Sequence, residues 1–110
     1  MNVHSIKEIR EFITPIAKSH NLEKVCLFGS YARGNATENS DMDFLVYGFT
    51  DKGMFDLIGL YDDIGGKANK SVDIILAEDL RLKLKMKDNA LTKDFVRRIK
   101  RDMVTVYERA

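Results

Sequence analysis

Cysteine and proline are scarce in this sequence, and long apolar runs are missing. Cys26 is the only cysteine among 110 residues, so no internal disulfide can form. One proline and seven glycines, in a chain 45% hydrophobic and 32% charged, exclude fibrous and disordered compositions. No apolar stretch approaches the ~20 residues that span a bilayer. The N-terminus shows no basic segment followed by an apolar core, so no signal peptide is expected. Together these features point to the cytoplasm. Internal repeats and linkers are lacking too, and 110 residues leave room for one domain, 1–110, and no second.

There is no dominant sign of charge either. The net value of +1 singles out no partner, but its distribution is uneven. From Glu78 onward ten bases, among them Arg97, Arg98, Lys100 and Arg101, stand against six acids. That excess is either a solvated helix face or a surface for an acidic partner or nucleic acid.

The elements follow from periodicity. Ser5 and Glu8 form a capping box ahead of Ile6, Ile9, Ile13, Ile16 and Ala17 at helical spacing. Pro15 should kink that helix or restart it with Thr14 as cap, and Asn21 is a left-handed stop. Val25–Phe28 reads as a buried strand and Phe44–Tyr47 as a second. Asp51 can cap a helix carrying Met54, Leu57, Ile58, Tyr61 and Ile64, ended by Gly65-Gly66. Val72–Leu76 is a third strand. Asp88 can cap a helix carrying Leu91, Phe95 and Ile99, and Met103–Tyr107 can add an edge strand. Residues 80–87 alternate Leu with Lys or Arg, which suits a strand by period and a helix by propensity, and stay unassigned. The order indicates an α/β domain with a mixed sheet.

The chemistry concentrates in Gly29-Ser30-Tyr31-Ala32-Arg33-Gly34 and Ser40-Asp41-Met42-Asp43-Phe44. Asp41 and Asp43, two apart at a strand start, lie on one face ~7 Å apart along the backbone. Two ionised carboxylates so placed repel unless a cation sits between them, and oxygen-ligated Mg²⁺ suits them. Asp73 falls inside the most apolar strand, between Val72 and Ile74, where a buried carboxylate needs a partner. If that strand pairs beside Asp41, three carboxylates form one cluster, the layout for two metal ions ~3.5–4 Å apart. Gly29 lets the backbone approach a phosphate. Ser30 and the next amides can donate to its oxygens, and Arg33, one turn on, can contact the same anion. Taken singly, each feature has an ordinary reading: a turn, a solvated acid pair, a surface arginine, a hydrogen-bonded core acid. The joint spacing is what distinguishes them. His4 and His20 lie at helix edges with no acid or cysteine pattern around them and read as structural or solvated, Cys26 reads as core, and Tyr31 suits packing or stacking on a base.

That joint pattern, Gly29-Ser30, ten residues, then Asp41-Met42-Asp43, with Asp73 later in an apolar strand, resembles the DNA polymerase β nucleotidyltransferase superfamily. The fuller text FGSYARG, SDMDFLV and VDII resembles its smallest members, the minimal nucleotidyltransferase (MNT) antitoxins, which act beside HEPN-domain toxins. No Walker-type loop competes with this reading. The resemblance implies a small mixed β-sheet packed by helices, the polymerase β-like fold. It implies that Gly29, Ser30 and Arg33 bind nucleotide phosphates. Asp41, Asp43 and Asp73 would be the catalytic acids, holding two Mg²⁺ ions, with Asp73 helping to deprotonate the acceptor. It further implies transfer of AMP from ATP to a hydroxyl, a tyrosine, of the HEPN toxin partner. The alternatives are a non-catalytic module that masks the toxin, and a nucleotidyltransferase acting on a small molecule or RNA. No membrane is expected, and nucleic acid is not favoured. Larger relatives carry a helical domain that holds the acceptor, so here a partner is expected to present the hydroxyl.

Overall fold

The computed structural model describes residues 3–50, 52–86 and 90–110. The expected caps Asp51 and Asp88 lie outside them.

Helix α1 (Ile6–Ser19) begins at Ser5, whose hydroxyl accepts from the Glu8 amide while Glu8 accepts from the Ser5 amide, as expected of the capping box. It buries Ile9, Ile13, Ile16 and Ala17 on one side. Pro15 does not divide it. Thr14 turns its hydroxyl back to the Arg10 carbonyl, 2.7 Å away, instead of capping a new helix. Pro15 lies on the exposed side of the helix, while the flanking Ile13 and Ile16 keep both halves on the core. Asn21 has a φ of 55°, the expected left-handed stop.

Strand β1 (Lys24–Phe28) leads through Gly29 into a single helical turn, α2 (Ser30–Arg33). Strand β2 (Met42–Tyr47) follows, then helix α3 (Met54–Ala68) and strand β3 (Val72–Leu76). Helix α3 runs through Gly65-Gly66, where an end was expected. Ile64 and Ala68 are buried on either side and hold the last turn down. Two glycines cost ~1 kcal/mol each, which that burial offsets. The helix stops instead at Asn69, whose φ is 54° and whose amide bonds the Gly65 carbonyl at 2.8 Å. Helix α4 (Ala77–Leu84) starts directly from β3, so most of the unassigned 80–87 stretch is helical. Leu80 packs on the core while Leu82 stays 62% exposed, so the period of two reflects no sheet. Helix α5 (Ala90–Asp102) and strand β4 (Val104–Glu108) complete the described chain.

The sheet order is β3-β2-β1-β4. β1 is antiparallel to β2 and β4, and β2 is parallel to β3, with α3 as the crossover a parallel pair requires. The mixed sheet and the edge position of β4 match expectation. One sheet face packs Leu27, Phe44 and Val46 against Ile9, Ile13, Leu60 and Ile64 from α1 and α3. The other packs Cys26, Phe28 and Leu45 against Ala77 and Ile99 from α4 and α5. Each large side chain so buried contributes ~1.5–3 kcal/mol. No helix among the described residues is long and apolar enough to cross a membrane.

Candidate active site

Strand alternation decides which way the acids face. In β2, Met42, Phe44 and Val46 point into the α1/α3 layer, so Asp43 shares the opposite face with Leu45. Parallel pairing then sets Asp73 of β3 directly beside Asp43 of β2. On the other side, Phe28 of β1 is the antiparallel partner of Asp43, which brings Gly29 against it. Three elements distant in sequence thus meet at one sheet end.

The contact at Gly29 is close. Its φ of 75° and ψ of −154° lie where residues with a Cβ rarely go, and a Cβ there would overlap Asp43 Oδ2. Glycine is needed here for the carboxylate, a requirement the local sequence did not disclose.

The carboxylates sense one another. Asp43 is pushed up from 3.8 to about 6. Partial burial is the largest cause, followed by the charge of Asp73, the charge of Asp41 and a hydrogen bond to Asp73. Arg33 opposes them. Asp43 thus holds its proton more tightly than an ordinary aspartate, with Asp73 as its hydrogen-bond partner. Asp41 stands just before β2 and is exposed. Asp73 is exposed as well, a correction to its expected burial: β3 is the edge strand, so an apolar sequence does not bury every position. Its expected partner is nevertheless present in Asp43.

Among the described residues no three His, Cys, Asp or Glu side chains stand as a formed metal cluster. The donor set is oxygen-only, with Asp43 and Asp73 in contact and Asp41 close enough to raise Asp43. Such a set fits a hard divalent cation, which would relieve the repulsion.

Arg33 lies near enough to lower Asp43, and its Nη1 is 3.9 Å from Asp102 Oδ2. Arg101 grips the same carboxylate at 3.2 and 3.3 Å and holds Asp102 below the usual carboxylate range. Sequence reasoning missed Asp102 because its partner Arg33 sits on another element. Tyr31 is only 4% exposed and belongs to the core, so of its two expected roles packing is the one realised. His20 bonds Asp63 at 2.6 Å and His4 the Ala68 carbonyl at 2.8 Å, both away from the acids. Cys26 is buried. A wide hollow of about 690 Å³ between α1 and β4 is lined by none of the three acids.

The comparisons agree with this fold. Residues 11–109 match the family described as Polymerase beta, Nucleotidyltransferase. The chain is 35% identical over 81 residues to a Methanocaldococcus jannaschii protein called "Putative protein adenylyltransferase MJ0435", covering 74% of this chain and 87% of that one. It also resembles one chain of a toxin-antitoxin crystal structure with AMP-PNP, at a TM-score of 0.66 and 18% identity, over 91% of this chain and 73% of that chain. A complex of a tri-AMPylated Shewanella oneidensis HEPN toxin with an MNT antitoxin contains a chain similar at a TM-score of 0.62 and 13% identity, over 94% and 73%. At those identities the two complexes speak for the fold alone. With the match spanning residues 11–109, almost all of its length, the chain belongs to the polymerase β nucleotidyltransferase family.

Proposed function

We propose that this protein is a cytoplasmic antitoxin enzyme that transfers AMP from ATP to a tyrosine hydroxyl of a HEPN-domain toxin. The observation that carries this reading is the register of Asp43 with Asp73, with Asp43 packed against Gly29. That juxtaposition supports a reading in which the acids serve metal and acceptor while the adjoining turn serves phosphate. The names of the similar proteins support the choice of a protein acceptor and of a toxin partner.

In this reading Asp41, Asp43 and Asp73 would hold two Mg²⁺ ions, which when bound neutralise phosphate charge and lower the acceptor's pKa. Gly29 and Ser30 seat the phosphates at the α2 turn, and Arg33 steadies their charge. The acceptor oxygen bonds the α-phosphorus, the bond from that phosphorus to the bridging oxygen breaks, and pyrophosphate leaves. Asp73, exposed at the sheet edge, takes the acceptor's proton.

The test is incubation with ATP, Mg²⁺ and a HEPN-domain protein encoded beside it, followed by mass spectrometry of the partner. Adenylylated tyrosine is expected with the wild-type protein and none with Asp43→Asn. Neutralisation of the toxin without any modification would favour masking, and transfer to RNA or a small molecule alone would reject the antitoxin reading.

A further inference from the structure

The last described helix borders the site on its α5 side. Leu91, Phe95, Arg98 and Asp102 are spaced along α5 so that they share a face. Between that face and the Gly29 turn lies a hollow of about 190 Å³. Its floor is the edge-to-face pair Phe28 and Phe95, with ring centroids 6.3 Å apart. Its rim carries three guanidinium groups, on Arg33, Arg98 and Arg101, against one acid, Asp102. Gly29 and Arg33 belong to its wall, so the hollow adjoins the turn against which Asp43 packs, although none of Asp41, Asp43 and Asp73 lines it.

We propose that this hollow is the docking subsite for the acceptor, and that it takes an acidic stretch of a protein chain. The proposal rests on the transferase reading above. Carboxylates of the acceptor meet Arg98 and Arg101, and the segment then carries its hydroxyl past Gly29 to the acids.

Three observations select an acidic protein segment. The rim is cationic and open, Arg98 being 61% and Arg101 70% exposed. Each arginine already pairs with a carboxylate, Arg98 with Asp94 at 3.4 Å and Arg101 with Asp102 at 3.2 Å. The Arg98–Asp94 pair is exposed on both sides and therefore weak, so an incoming carboxylate can exchange for Asp94. A nucleic-acid strand, in contrast, wants an unbroken basic track and open aromatic faces on which bases stack. Here Asp94 and Asp102 interrupt the track, and Phe28 is only 8% exposed. Leu91, 87% exposed at the other end of the stripe, offers an apolar anchor to the same segment.

The probes are a fluorescein-labelled peptide with glutamates flanking a tyrosine, its glutamine twin, and a uridine oligoribonucleotide. Anisotropy with the full-length protein, without ATP or metal, reads docking alone. The acidic peptide is expected to bind, and Arg98→Gln/Arg101→Gln to weaken it about tenfold. Lys93→Gln/Arg97→Gln removes the same charge from α5 outside the hollow and is expected to change binding little. Equal weakening by both pairs, equal binding of the glutamine twin, or preference for the RNA would overturn the proposal. These arginines are exposed, so their loss leaves the fold intact, which circular dichroism checks. Labelled ATP with Mg²⁺ then separates the two readings. In transfer to the acidic peptide, the hollow variant is expected to raise the peptide KM with the ATP KM unchanged. Docking without any transfer would reject the transferase reading and leave an acid-binding surface, whereas transfer indifferent to the flanking acids would reject the docking subsite and leave the transferase.

Discussion

Asp43 is where side-chain chemistry and backbone geometry meet. Its carboxyl titrates near 6 in the folded protein against 3.8 for an ordinary aspartate. The folded state therefore holds an extra proton between those values, and stability falls as pH rises through that window. Above about pH 6 the destabilisation is complete; below 3.8 it is absent. The metal-free protein should thus be more stable at pH 5 than at pH 8 by ~1 kcal/mol, less than the full shift implies because the site is open to solvent. Asp43→Asn should flatten this dependence in thermal melts while abolishing transfer; a mutant that retained the wild-type pH slope would show that other groups cause it. Gly29→Ala tests the other half of the contact. The left-handed φ and the overlap with Asp43 Oδ2 should together cost ~1–3 kcal/mol and displace the carboxylate. A denaturant midpoint near wild type, with activity intact, would mean that the turn can relax.

At the scale of elements, α1 tolerates a proline that its sequence seemed to forbid. Pro15 is exposed in the middle of a continuous helix, held by Ile13 and Ile16 on the core. Replacing it with alanine restores a hydrogen bond and removes a steric conflict, so Pro15→Ala should stabilise the protein by ~1–3 kcal/mol in urea. Ser5→Ala should remove ~1 kcal/mol through loss of the cap. The contrast shows how much of the fold was legible. The Ser5–Glu8 box, the strands and the Asn21 stop rest on local stereochemistry and could be read directly. The continuity of α1 through Pro15 and of α3 through Gly65-Gly66 depended instead on burial of Ile16 and Ala68 by other elements, which outweighed proline and glycine.

For the whole molecule, the acids are expected to trade repulsion for a cation. Mg²⁺ should raise the melting temperature of the wild-type protein and leave Asp43→Asn nearly unaffected, since a ligand stabilises only the state it binds. Equal stabilisation of both would place any metal elsewhere. Turnover of ATP without an acceptor should be slow. In-line transfer needs the attacking oxygen held ~3–3.5 Å from phosphorus, and such positioning can supply ~7–11 kcal/mol of the barrier. Labelled ATP with and without the partner protein checks this; rapid hydrolysis by the free protein would count against acceptor control.

The linear chain by itself determined the candidate site: a Gly-Ser turn, an acid pair at strand spacing and a third acid in an apolar strand are local features whose chemistry is legible from residue type and period. It also determined the element types wherever apolar spacing was regular. Tertiary structure decided what those features do to one another. Parallel pairing of β2 with β3 brought Asp73 to Asp43, antiparallel pairing of β1 with β2 set Gly29 against the same carboxylate, and α5 brought Asp102 to Arg33. None of these contacts has a local signature, because each joins residues whose separation along the chain is closed only when the sheet forms. Their energies, repulsion between carboxylates and overlap with a Cβ, depend on distance in space.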